Sequence, residues 1–511
     1  MAGPSLTSKA RTIEVRSPRD GKLVAAFPVG GPREVEEAVS SARAAMRSWA
    51  SRSPLRRVEA LERLGAVLEE QSEEIADAIV AETGKPRVEA LAEVAVSVEL
   101  IRYYHGHAPR HLNPRRVGTG WMVWKKGWVE REPLGVIGAI TPWNYPLIIA
   151  MDVVVAALAG GNGVVVKPSE LTPIATSMLP DLCAKAGLPD GLVQVVTGDG
   201  TTGEALVRSG VDKLSFTGST EVGRRVMAVA SETLTPVTLE LGGKDAAIVL
   251  DDADLERTAR GIAFGGFFNA GQTCISIERV YVVEAVAADF IARLGAEADA
   301  LRWGVGDDVD VGPMISRAQF EKVASHIRDA VEKGAEVVSG GVPEPGGRVI
   351  APTVLAGVDD SMIVSVEETF GPVLAVTVVR DEEEAVLRTN ASDYGLFASV
   401  WTQNRRRGVD VGRRLRAGGV CINETLAHVG VGGLPLGGVG ESGFGSRRGL
   451  AGLSEVTRLR TFFSDRAGAR REPWWFPYGE RARRLTRSVL ALRGQGGLKG
   501  LFAAVGRLLG R

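Results

Sequence analysis

Residues 135–167 read Gly-Val-Ile-Gly-Ala-Ile-Thr-Pro-Trp-Asn-Tyr-Pro-Leu-Ile-Ile-Ala-Met-Asp-Val-Val-Val-Ala-Ala-Leu-Ala-Gly-Gly-Asn-Gly-Val-Val-Val-Lys. An apolar strand over 135–140 is followed by a helix from about 146 to 158 and a second strand over 163–167. A further unit follows, with a strand over 192–196, a helix over 202–208 and a strand over 213–216. Strands that alternate with helices predict a parallel, doubly wound sheet. Beyond residue 274 the pattern repeats, with strands near Val337, Val354, 373–378 and Val400, and predicts a second α/β domain over 241–426.

Outward from there, 12–15 and 23–27 read as short strands, and 32–105 carries apolar residues at three- and four-residue spacing, as helices do. Between 112 and 132, Trp121, Trp124 and Trp128 sit among basic residues. Alternation through Met122 and Trp124, with a turn at Gly127, predicts a β-hairpin. At 511 residues the chain exceeds one ordinary core, so two or more domains are expected. Net charge is −1, which gives no global argument for nucleic acid. The odd, scattered Cys183, Cys274 and Cys421 fit reduced thiols in a cytoplasm better than a disulfide framework. Five histidines make no metal-ligand spacing, so no metal site is expected. There is no signal-peptide pattern at Met1-Ala2-Gly3-Pro4-Ser5 and no apolar run of membrane-spanning length.

Chemistry is expected at two stretches. Asn269-Ala270-Gly271-Gln272-Thr273-Cys274 places a thiol at a loop just before the β-type run 279–283. Such a thiol becomes a nucleophile only as thiolate, so it needs an electropositive or general-base environment. Alone, a cysteine beside glycines reads as packing. Upstream, Leu239-Glu240-Leu241-Gly242-Gly243-Lys244 sets one carboxylate in an apolar run. Desolvation there disfavours the charged form, which suits a general base near neutral pH.

Together, in this order and spacing, the two stretches resemble the paired active-site signature of the aldehyde dehydrogenase superfamily, NAD(P)-dependent and non-acylating. The resemblance covers roughly 12–465. It implies two doubly wound parallel-sheet domains, one Rossmann-like for cofactor and one catalytic, plus a small β hairpin for subunit contacts. It also implies that Cys274 adds to an aldehyde as thiolate, that hydride passes to a nicotinamide, and that Glu240 deprotonates the water that hydrolyses the thioester. The oxyanion would be held by the backbone N–H of Cys274 and the side-chain amide of Asn144, in Thr141-Pro142-Trp143-Asn144-Tyr145-Pro146. Read without the resemblance, Asn144 is a turn residue.

No Gly-x-Gly-x-x-Gly follows a strand; Gly218, Ser219 and Gly223 instead stand at a strand-to-helix turn that resembles the family's pyrophosphate-binding segment. A plain helix cap by Ser219 or Thr220 reads equally well there. Lys167, Ser169 and Glu170 match the family's ribose-binding segment. An acid there accepts ribose hydroxyls and repels a 2′-phosphate, which favours NAD, with NADP still open. Glu368 and Phe370 match the residues that hold the nicotinamide end, and Trp143 and Leu241 complete the cofactor contacts.

The closing motif 434–443 has Leu436 where Phe is usual and Gly440 where many members have Lys. The Gly form is familiar from the branch of fatty-aldehyde and aromatic-aldehyde enzymes. Candidate cleft walls at 145–152, 267–276 and 425–431 hold no arginine, and Leu147, Ile148, Phe268 and Leu426 lie near, so an aliphatic or aromatic aldehyde is expected. The alternatives are a semialdehyde substrate or a cysteine-dependent esterase on the same fold. A non-catalytic protein would be expected to have lost Cys274 or Glu240.

The expected domains are 1–240 for NAD, interrupted by an oligomerisation hairpin at 115–132; 241–426 for catalysis; 427–472 as a return segment with an oligomerisation strand; and a tail over 473–511. The assembly expected is a cytoplasmic homodimer or homotetramer. From Glu480 to Arg511 there are eight basic residues against one acid. Leu498, Leu501, Phe502, Val505, Leu508 and Leu509 fall at helical spacing. That pattern reads as an amphipathic basic helix suited to peripheral contact with an anionic membrane, and equally as a helix on a partner subunit or a solvated tail.

Overall fold

The computed structural model describes residues 11–468, 470–472 and 474–492, so the apolar stripe from Leu498 to Leu509 lies outside the described residues. The chain divides into two compact units, the larger reaching His111 and resuming over Pro133–Arg458, the smaller made of Leu112–Glu132 and the chain from Leu459.

The larger unit contains two large sheets and a two-stranded antiparallel ribbon of Thr12–Arg16 and Leu23–Pro28. In the first, the strands lie in the order Gly443–Phe444, Val237–Glu240, Lys213–Thr217, Val136–Ile140, Gly163–Lys167, Val193–Val195. All neighbours run parallel except the edge pair of Gly443–Phe444 with Val237–Glu240. The chain winds one way from Val136–Ile140 and then returns to its other side. The crevice beyond the carboxyl ends of Val136–Ile140 and Lys213–Thr217 is therefore a switch point, where open α/β sheets bind ligands. The helix Ile148–Gly160 is buried at every residue, which explains an apolar run with no amphipathic period. Trp49, in the helix Pro32–Ala50, donates its indole N–H to the Leu158 carbonyl at 2.8 Å.

The second sheet has the order Glu336–Ser339, Thr353–Ala356, Val373–Val379, Ile277–Val283, Asp245–Val249, Phe397–Trp401, Gly419–Ile422. Only the first pair is antiparallel. Its core joins Val249, Ile262, Phe290, Phe320, Leu374 and Trp401.

The smaller unit is built on a three-stranded sheet, ordered Thr457–Asp465, Lys125–Pro133, Arg115–Val117. The predicted hairpin exists but its turn is elsewhere. Gly127 lies within a strand, opposite Val117, and Met122 and Trp124 belong to the connection. The tryptophans there form an aromatic cluster instead of strand alternation: Trp121 and Trp124 pack with Trp474 at centroid distances of 5.7 and 6.3 Å. Lys125 lies over the Trp474 ring at 5.6 Å and pairs with Asp465 at 2.8 Å and with Glu472.

Candidate active site

Cys274 lies between the short 3-10 turn Phe268–Gly271 and the strand Ile277–Val283, half-buried. The loop before it is strained: Asn269 and Ala270 hold φ of 54° and 53°, sparsely populated for side-chain-bearing residues. Gly271 follows at φ 66°, and a Cβ there would sit 2.1 Å from the Gly371 carbonyl oxygen. The glycine is thus needed for close approach to the Gly371–Pro372 backbone. Gly243 does the same on the other side, since a Cβ there would lie 2.3 Å from the Cys274 carbonyl oxygen. The two signature stretches are therefore packed backbone to backbone.

Side chains hold the loop in this shape. Gln272 accepts from the Ile315 N–H at 2.9 Å and donates to Asn269 and Pro313 carbonyls at 3.2 and 3.4 Å. Asn144 donates its amide to the Gln272 carbonyl at 2.8 Å, and its own carbonyl accepts from Lys85 Nζ at 2.8 Å. Its Oδ1 is buried without a partner, so the amide is anchored at one end only. Tyr145 and Thr273 share a hydroxyl hydrogen bond of 2.7 Å.

Cys274 opens onto two cavities. One, of about 300 Å³, is walled by Ile148, Ile149, Phe264, Phe268, Leu426 and Val429, with Glu240 and Cys274 also in its lining. The other, of about 190 Å³, is lined by Trp143, Gly218, Ser219, Leu241, Glu368 and Phe370 and includes Asn144 and Cys274. This second cavity sits at the switch point of the first sheet. Trp143 and Phe370 face edge to face at 5.3 Å, with Phe370 at φ 56°. Glu278, buried and paired to Lys244, fixes that backbone by accepting the Thr369 and Phe370 N–H groups at 2.8 Å each. Glu368 accepts from the Gly243 N–H at 2.9 Å, and burial raises its carboxyl to about 7.

The remaining sequence-assigned residues fall nearby or serve packing. Lys167 ends the strand Gly163–Lys167 and pairs with Glu170 at 3.5 Å, its ammonium buried and its pKa lowered by desolvation. Ser169 spends its hydroxyl on the Leu171 N–H at 3.2 Å. Ser219 caps the helix Thr220–Ser231 through the Val222 N–H at 3.4 Å, so the helix N-terminus and the cavity coincide. Gly223 is a packing residue: a Cβ there would meet Leu241 at 2.5 Å. Leu147 is fully buried behind the apolar cavity and does not line it.

One expectation needs correction. Arginine does line the apolar cavity, because the segment after Gly443–Phe444 brings in Arg447 and Arg448. Both are committed to ion pairs: Arg447 to Glu240 at 3.0 Å, and Arg448 to Asp152 at 2.7 Å. Of the two environments that could activate the thiol, an electropositive one or a general base, the charges around Cys274 do not supply the first. Burial pushes the Cys274 thiol up to about 12, the Glu240 carboxylate pushes it further the same way, and Arg447 only opposes this. Burial likewise raises Glu240, against the pull of Arg447. A general-base route thus remains for the thiol proton.

Sequence reading also missed a buried acidic layer behind the loop. Glu93 pairs with Lys85 at 2.8 Å and caps the helix Ile148–Gly160 through the Leu147 and Ile148 N–H groups at 3.1 and 3.3 Å. Glu89 accepts from the Asn269 N–H at 2.9 Å and is raised to about 7 by burial. The available signal was Glu89 and Glu93 four apart on one helix, a like-charge spacing that an exposed helix face disfavours.

Residues 6–462 match the profile described as "Aldehyde dehydrogenase family". A 4,4'-diapolycopene aldehyde oxidase from Methylomonas sp is 40% identical over 470 residues, 91% of this chain and 88% of that protein. A betaine aldehyde dehydrogenase from Rhizobium etli is 38% identical over 467 residues, 89% of this chain and 94% of that protein. Among solved structures, an NAD-dependent aldehyde dehydrogenase from Sinorhizobium meliloti superposes with a TM-score of 0.87 at 37% identity, covering 91% of this chain and 93% of that one.

The electrostatics give a checkable outcome. In the resting protein, iodoacetamide should label Cys274 slowly at neutral pH and faster as pH rises toward 12. Glu240→Gln removes the adjacent negative charge, so the labelling curve should move to lower pH. A Cys274 already fully reactive at pH 7 would contradict this arrangement.

Proposed function

The chain belongs to the aldehyde dehydrogenase family, and from that premise we propose Cys274 as nucleophile, Glu240 as base and Asn144 as oxyanion donor in the oxidation of an apolar aldehyde. The reaction is the NAD(P)-dependent conversion of an aldehyde to its carboxylic acid. The observation that carries the residue assignment is the single thiol shared by the apolar cavity and the switch-point cavity.

The second cavity suits a nicotinamide dinucleotide by its donor set. It joins a helix N-terminus at Ser219, aromatic walls at Trp143 and Phe370, and the Glu368 carboxylate, with Glu170 at the adjoining strand end for ribose hydroxyls. The bound cofactor supplies the hydride acceptor. NAD is our reading, because Glu170 would repel a 2′-phosphate. The first sheet is assigned to cofactor and the second to the thiol.

The protein's own groups account for the rest. The Cys274 sulfur adds to the carbonyl carbon, and its proton passes by way of Glu240 to solvent, which leaves Glu240 ionised for the later step. The resulting oxyanion lies toward the Cys274 N–H and the Asn144 amide. Once the thiohemiacetal is oxidised to thioester, Glu240 deprotonates a water, which attacks the acyl carbon and returns the electron pair to sulfur. Ile148, Ile149, Phe264, Phe268 and Leu426 favour an aliphatic or aromatic chain over an acidic one. The two arginines in that wall do not reverse this, since each already has a carboxylate partner.

Wild type should reduce NAD with hexanal or benzaldehyde. Cys274→Ala should abolish the signal, and Glu240→Gln should give one turnover and then accumulate thioester, with steady-state rate down by about 10²-fold or more. Succinic semialdehyde preferred by orders of magnitude in kcat/KM would overturn the substrate assignment. Cys274-dependent hydrolysis of p-nitrophenyl esters without NADH formation would favour the esterase.

We assign subunit contact to the three-stranded sheet, supported by exposed Leu459 and Phe463 on its edge strand. Phe463→Glu should convert a dimer or tetramer to smaller species by light scattering. An unchanged mass would remove this edge from the interface.

Peripheral membrane contact is assigned to the chain's end. Trp475, Phe476 and Tyr478 are exposed beside the helix Glu480–Leu492, which bears Arg481, Arg483, Arg484 and Arg487. Among the described residues no helix is long and apolar enough to cross a membrane. Deleting 479–511 should abolish co-sedimentation with anionic liposomes, and unchanged co-sedimentation would sink the assignment.

A further inference from the structure

Four ionisable groups meet near the thiol with almost no access to water. Arg447 Nη2 donates to Glu240 Oε2 at 3.0 Å, and its Nη1 lies 3.8 Å from Asp152 Oδ2. Asp152 Oδ1 accepts from Arg448 Nε at 2.7 Å, and Arg448 also donates to the Val429 carbonyl. The cluster balances two carboxylates against two guanidinium groups. Neighbouring residues of an extended chain ordinarily point to opposite faces. Here both arginines reach one carboxylate, because Arg448 adopts φ 60° and ψ 171°, a conformation that residues with side chains rarely hold. Arg447 is itself pinned, exchanging backbone hydrogen bonds with Leu436 at 2.7 and 2.9 Å. The strained turn is thus set so that one guanidinium addresses the base.

The two oxygens of Glu240 are not equivalent. Oε2 is tied to Arg447, while Oε1 is buried with no partner. Arg447 in turn keeps Nε and Nη1 without hydrogen bonds. A carboxylate bound at one oxygen can accept a proton at the other without losing its anchor.

We propose that Arg447 is a positioning residue for deacylation: it holds Glu240 as a carboxylate by Oε2 and leaves Oε1 to receive the proton of the hydrolytic water. This rests on the assignment of Cys274 and Glu240 above. In the step, an O–H bond of water breaks and its proton goes to Oε1. The water oxygen bonds the acyl carbon, and the C–S bond breaks with its electron pair returning to sulfur.

The charged and titratable groups facing Glu240 are Arg447 and Arg448 from the turn, Asp152 from the helix Ile148–Gly160, and Cys274. Burial and Asp152 raise the Glu240 carboxyl, and both arginines lower it. Removing Arg447 therefore raises it further, and deacylation, which needs the ionised base, should demand a higher pH.

The test follows one turnover in the full-length protein with limiting aldehyde and excess NAD, reading NADH formation and acyl-enzyme decay separately across pH. In Arg447→Gln the NADH burst should persist, while the midpoint of the decay profile moves upward by about one pH unit or more, a tenfold loss below the midpoint. Arg447→Lys, which keeps the charge, should return the midpoint most of the way toward wild type, and it carries the test alone if Arg447→Gln does not fold. Burst and decay falling together with no displacement of the midpoint, or Lys rescuing no better than Gln, would overturn the proposal. Absence of any NADH burst in wild type would instead overturn the assignment on which it rests.

Discussion

Burial of charge beside the thiol is the constraint on which the site depends. An isolated carboxylate removed from water is costly, and a buried pair with one partner deleted is more costly still. Glu240 can therefore be both desolvated and ionisable only because Arg447 and the Asp152–Arg448 pair are enclosed with it. That enclosure ties together parts of the chain distant in sequence: the strand Val237–Glu240, the helix Ile148–Gly160 and the turn at Arg448. The strand Gly443–Phe444 pairs antiparallel with Glu240 and Leu239, so the same hydrogen bonds that close the first sheet deliver the arginines.

A second set of buried ions holds backbone around the thiol. Lys85 and Glu93 hold the Asn144 carbonyl and the start of an apolar helix, while Lys244 and Glu278 hold the Thr369–Phe370 backbone. Both act on backbone groups flanking the thiol. The strained φ values at Asn269, Ala270 and Phe370 persist because such surrounding bonds over-determine them. The loop bearing Cys274 is thereby held through its backbone by buried ion pairs and borders a cavity walled by apolar side chains.

Legibility in the sequence followed the range of the interaction. The strands 135–140 and 163–167, the thiol of Cys274 and the apolar setting of Glu240 were readable because each depends on a few consecutive residues. The turn of the small hairpin was misplaced at Gly127 because Trp121 and Trp124 are apolar for another reason, their packing on Trp474 some 350 residues away. Ser219 was ambiguous between cap and cofactor turn, and the structure makes it a cap at the mouth of the cavity.

Local pattern alone determined a doubly wound α/β chain, since hydrophobic period is a property of contiguous residues, whereas the pairing of Cys274 with Glu240 rested on the resemblance of two short motifs to a family. Tertiary structure alone decided what surrounds them. In sequence Asp152 is one polar residue in an apolar run, Glu89 and Glu93 stand four apart, and Arg447 and Arg448 follow a glycine-rich stretch. Their partners come from other elements, and whether a charge is solvated or enclosed is set only when those elements close over it.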